Sequence, residues 1–79
     1  MDLLQQVSEL GAVGNERLVV AVGVPDGAGW MSVACAPFVL SDLLDEDMTA
    51  MIEHQAGVLA ALPGALPPVL ITLADWSDV

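Results

Sequence analysis

Cys35 and His54 are the only thiol and the only imidazole in the chain. Such a pair can act as nucleophile and base when folding brings the two side chains together, since the partners of these sites meet in space rather than in sequence. Cys35, however, follows Met31 and Val33 at two-residue spacing. This puts it on the apolar face of a strand, where a thiol is inert packing. His54 adjoins Glu53, and neighbouring residues on a helix do not share a face. No third group orients an imidazole, and one Cys with one His cannot close a zinc site unless carboxylates join them. Asp42 and Glu53 stand as positions 1 and 12 of a calcium loop, but Leu44 falls at position 3 and Asp47 replaces the glycine required at position 6. Gly23-Val24-Pro25-Asp26-Gly27-Ala28-Gly29 is rich in glycine, yet it joins two strands instead of a strand and a helix, so it cannot cradle a phosphate. The sequence predicts no enzyme, no metal site and no cofactor.

The elements that position these residues follow from periodicity and turn chemistry. Asp2 and Gln5 resemble a capping box, and Leu3, Leu4, Val7 and Leu10 recur at helical spacing, with Gly11 as the stop. Leu18 to Val24 is an apolar, β-branched run, the pattern of a central strand covered on both faces. After a turn at Pro25–Ala28, Trp30 to Ala36 reads as a second strand. A four-residue loop would pair Val22 with Met31, Val20 with Val33 and Leu18 with Cys35. That register gathers the large side chains on one face and leaves Val19, Ala21, Gly23, Ser32 and Ala34 on the other. Pro37 to Leu40 reads as a strand end or a loop. A helix then begins near Asp45 or Asp47, either of which suits the N-cap, and carries Met48, Met51, Ile52, Gln55, Val58, Leu59 and Leu62 on its apolar side until Pro63-Gly64 stops it. Val69 to Leu73 is a third strand, and Ala74 to Val79 an acidic tail holding Trp76. Met31, Met48, Met51, Trp30 and Phe38 read mainly as core, some of them as interface. The expected architecture is α+β with order α-β-β-α-β: two helices on a small, mainly antiparallel sheet of strand order 2-1-3, in one domain spanning residues 1–79.

Charge narrows the function. Eleven Asp and Glu face one Arg, Arg17, and no Lys, for a net charge of −10, in a chain of 79 residues of which 56% are hydrophobic. Disorder needs low hydrophobicity as well as charge, so a chain that is as a whole a disordered acidic tail is excluded. Direct nucleic-acid binding needs Lys and Arg to neutralise phosphates, and they are lacking. The uncharged run from Gln55 to Ala74 is long enough for a bilayer, but Pro63, Pro67, Pro68, Gly57 and Gly64 break it and no basic residue flanks it. Neither a membrane span nor a secretory signal is expected. A single cysteine fits a reducing compartment, and a cytoplasmic location is expected.

An acid-to-base ratio of this size destabilises the compact state by self-repulsion, which points to a partner that profits from it. In length and charge the chain resembles phage-encoded anti-defence proteins (anti-CRISPRs, anti-restriction proteins, glycosylase inhibitors) and some toxin immunity proteins, although no motif carries the likeness residue by residue. The expectation is a non-enzymatic, acidic inhibitor of the anti-defence, DNA-mimic type that blocks a basic surface of a larger protein. Asp42, Asp45, Glu46, Asp47, Glu53, Asp75 and Asp78 are its partner-binding residues. The alternative is a homodimeric structural or adaptor subunit joined through the small-residue sheet face (Val19, Ala21, Ser32, Ala34, Ala36) or the first helix.

Overall fold

A computed structural model describes residues 2–77. Helix α1 spans Leu3–Leu10, and the Gln5 N–H donates to Asp2 Oδ1 at 3.2 Å. Only half of the capping box forms, because the Gln5 side chain donates to Glu9 instead. Gly11 closes the helix by donating to the carbonyls of Val7 and Ser8. Leu3 and Val7 are buried, whereas Leu4 is 65% exposed and Leu10 lies at the surface, so the apolar stripe is narrower than the spacing suggests.

Strand β1 (Leu18–Asp26) lies between β2 (Gly29–Ala34) and β3 (Val69–Thr72), antiparallel to both, giving the order β2-β1-β3. The α+β architecture and the strand order are those the sequence predicts. The hairpin register differs. Asp26 pairs with Gly29, so the loop is only Gly27-Ala28, and Val22 faces Val33 instead of Met31. Gly27 takes φ +61 while Ala28 stays at negative φ, the pattern of a II′ turn, whose twist matches that of the strands it joins. The shift is by two residues, so every side chain keeps its expected face. Pro25 is tolerated inside the central strand because it faces Trp30 in a pair without ladder hydrogen bonds. Its missing N–H is on the side of β3, which begins only opposite Ala21.

Beyond Ala34 the pairing gains a residue. Cys35 N–H donates to the Val20 carbonyl, but Leu18 exchanges both of its bonds with Phe38, and Ala36-Pro37 bulges between them. A short 3₁₀ turn, Leu40–Leu44, leads into helix α2, Glu46–Ala60. Asp45 is the N-cap, accepting from Asp47 N–H at 2.9 Å and Met48 N–H at 3.4 Å. Ile52 and Ala56 are buried, whereas Met51 and Val58 are about half exposed: the narrow sheet covers only one stripe of the helix. Leu73, expected to end the third strand, and the described part of the expected acidic tail instead form a short helix, α3 (Leu73–Ser77), whose Asp75 N–H donates to Thr72 Oγ1.

One face of the sheet carries the main core, in which Leu3 and Val7 of α1 and Ile52 and Ala56 of α2 close on Leu18, Val20, Phe38 and Leu70. The small-residue face is not left open at its centre. Val19 and Ala21 are buried there, with α3 against β1 and β3 and Leu66 over Gly23. Helix α1 is on the opposite face, and α3 covers the centre of the small-residue face, leaving Ser32 and Ala36 exposed. Among the described residues no helix is long and apolar enough to cross a membrane.

Gly64 joins the segment after α2 to the hairpin. It has φ +74, and a Cβ there would sit 2.8 Å from Pro25 Cγ and 3.0 Å from Cδ. Gly64→Ala is expected to lower stability by about 1–3 kcal/mol, through left-handed strain and collision with a rigid ring. Urea denaturation of the variant beside the wild type measures this.

Candidate functional site

The carboxylates expected to form one surface divide into groups. Asp42 turns back on the 3₁₀ segment, where its Oδ2 accepts from Val39 N–H at 3.0 Å, and it is half-buried. Asp45 is committed to capping α2. Both carboxylates are thus engaged by backbone N–H groups of their own segments. Glu46 and Asp47 occupy the first turn of α2 and are exposed, where the unsatisfied N–H groups and the helix dipole favour negative charge. Glu53 is also exposed, and seven residues after Glu46 it returns to nearly the same side of the helix. Asp75 belongs to α3, across the sheet from α2. Asp78 lies outside the described residues.

On α2, the three carboxylates Glu46, Asp47 and Glu53 are therefore free of a capping role. Glu46 and Glu53 line a groove of about 280 Å³ with Leu4, Leu43, Thr49 and Ala50, at the junction of α1 and α2. Just before the helix, Leu44 is 88% exposed, and with Leu4 it gives this acidic end an apolar element. Sequence reasoning missed both leucines as surface residues. Leu4 reads as part of the α1 stripe, and Leu44 is indistinguishable from its half-buried neighbour Leu43.

The other candidates for chemistry do not line this groove. The Cys35 thiol is half-buried against the core; Sγ accepts from Val20 N–H at 3.3 Å and donates to the Ala36 carbonyl at 3.4 Å. Its polar contacts are thus with backbone at the bulge, and His54 is exposed on α2. Among the described residues no group of three or more His, Cys, Asp or Glu converges as a metal site requires. The glycine-rich segment is the β1–β2 hairpin. On the small-residue side, Trp30, Ser32, Trp76 and Ser77 line a groove of about 480 Å³, a site hidden in the sequence because Trp76 reads as tail. The Trp76 indole Nε1 is buried and has no hydrogen-bond partner among the described residues. Trp30, Met31 and Met51, read mainly as core, are 63%, 47% and 46% exposed, while Phe38 is buried as expected.

Comparison with known proteins finds no matching family model, no matching curated protein and no matching solved structure.

The contact at Cys35 separates two substitutions. Cys35→Ala leaves the N–H of the fully buried Val20 without its acceptor and is expected to lose about 1–3 kcal/mol. Cys35→Ser keeps an acceptor and should lose less. Guanidinium denaturation of the two variants checks the order; equal losses would show that the thiol contributes only its volume.

Proposed function

We propose that the chain is a non-enzymatic acidic binding protein that occupies a basic surface of a larger protein, and that the start of α2 is the contact. The observation that carries this reading is the groove lined by Glu46, Glu53 and exposed Leu4, with Asp47 and Leu44 also exposed at the start of the same helix. Apolar side chains supply the desolvated anchor of an interface, and charges around them steer approach and select the partner. Intramolecular neutralisation is limited by composition to what Arg17 and His54 supply, so most of the −10 charge is available to an external cation. Inhibition is the outcome if the covered surface is the partner's own anion-binding site. The partner's chemistry is then a Lys- and Arg-rich surface, and nucleic acid is a competitor for it, not a ligand of this chain.

Replacing Glu46, Asp47 and Glu53 together by Gln, Asn and Gln tests the proposal. Asp42 and Asp45 stay unchanged because their carboxylates hold backbone N–H groups, and losing a cap costs about 1 kcal/mol. In affinity capture from a host lysate, the wild-type complex should weaken as salt rises. The triple variant should bind about tenfold more weakly, roughly 0.5 kcal/mol per charge, and respond less to salt. Leu44→Ala should speed dissociation with little change in the association rate. A complex indifferent to the three amides and to salt would place recognition away from α2.

A further inference from the structure

We propose that two copies of this chain join edge to edge along β2, antiparallel about a twofold axis at Ser32, merging their three-stranded sheets into one. This goes beyond the acidic-surface reading and rests on a different part of the molecule. Hydrogen bonds in an antiparallel pair alternate. Cys35 N–H donates to the Val20 carbonyl at 3.0 Å, and the register continues this ladder through Val33 and Met31 to Gly29. The N–H and C=O groups of Trp30, Ser32 and Ala34 therefore point away from β1, along the open edge of the sheet.

Natural sheets protect such edges with charge, proline, bulges or a covering segment. Gly29–Ala34 has no charged residue and no proline, and the bulge comes only after it. Its first four residues are exposed, including Trp30 at 63% and Met31 at 47%, on opposite faces of the strand. A twofold axis at Ser32 sets Trp30 beside Ala34 of the second copy and Met31 beside its Val33. Large residues then meet smaller ones on both faces.

Area favours a second copy as the occupant. The chain exposes 4965 Å². A compact monomer of its mass, 8.2 kDa, exposes about 4,500 Å². The chain thus exposes about 400 Å² more than a compact monomer of its mass, in keeping with an uncovered sheet edge. The Cα radius of gyration, 12.5 Å, likewise exceeds the roughly 11.6 Å of a compact domain of this length. Like charge opposes association of two chains of −10, but the pairing strand lies within Gly27 to Ser41, which holds no charged residue. The repulsion is long-range and is screened by salt. Salt should therefore strengthen this contact, whereas it weakens attraction to a basic partner, so failure of one reading is distinguishable from failure of the other.

Sedimentation equilibrium up to about 500 µM protein, in about 50 and 500 mM NaCl, tests the proposal. The wild type is expected to move from 8.2 kDa towards twice that mass with concentration, and further at high salt. Ser32→Pro removes an outward N–H and leaves the β1 ladder intact; Trp30→Lys places charge on the edge. Both variants should stay monomeric with an unchanged circular dichroism spectrum. If Ser32→Pro loses the fold, amide hydrogen exchange on the wild type decides: Trp30, Ser32 and Ala34 should be protected in concentrated solution and exchange freely when dilute. A wild type that stays at 8.2 kDa throughout, a dimer undiminished in either folded variant, or those amides unprotected at high concentration would overturn the proposal.

Discussion

Leu18, Val19 and Val20 have no solvent exposure, and their side chains alternate across the sheet, so β1 must be covered on both faces. A chain of 79 residues has little material for two layers. It assigns α1 and α2 to the face of Leu18 and Val20, and α3 with Leu66 to the face of Val19 and Ala21. The small residues on the second face now have a reason. Val19, Ala21 and Gly23 let a five-residue helix and a loop close over the strand where long helices would not fit.

Coverage ends before the sheet does. Strand β1 is covered as far as Val24, and only Pro25 and Asp26, with the end of β2 that faces them, run on beyond the layers. There β2 has β1 on one side and solvent on the other, and Trp30 and Met31 remain exposed on an otherwise ordered strand. The turn matters to this outcome. A two-residue loop at Gly27-Ala28 carries the ladder to Asp26 and Gly29, which lengthens the regular edge that β2 offers.

The acidic residues divide along the same lines of local necessity. Helix and turn starts hold N–H groups with no intrahelical partner, and Asp2, Asp42 and Asp45 supply acceptors for them. Those carboxylates stabilise the fold as hydrogen-bonding groups. Glu46, Asp47 and Glu53 have no such task and face solvent close to exposed leucines. A net charge that looks uniform in composition thus separates into a structural part and a part free to attract a basic surface.

By itself the sequence determined what depends on near neighbours: α1 with its Asp2 cap and Gly11 stop, the apolar run that must be a central strand, and the hairpin that follows it; the strand order 2-1-3 follows from placing that most continuously apolar run at the centre. Periodicity, capping and turn chemistry act over a few residues, so they are legible one segment at a time. It also determined the charge imbalance and the want of an evident catalytic set. The hairpin register, the burial of the small-residue face and the helical state of Leu73–Ser77 were decided only in the folded structure. Burial depends on what crosses a surface from elsewhere in the chain, α3 over Val19 and Ala21 and Cys35 supplying an acceptor to Val20, whereas Asp42 is engaged locally, by Val39 three residues away. Side-chain type says that a face wants cover or that a carboxylate wants a donor. Which segment arrives to satisfy it is set by long-range packing, which no window of neighbouring residues contains.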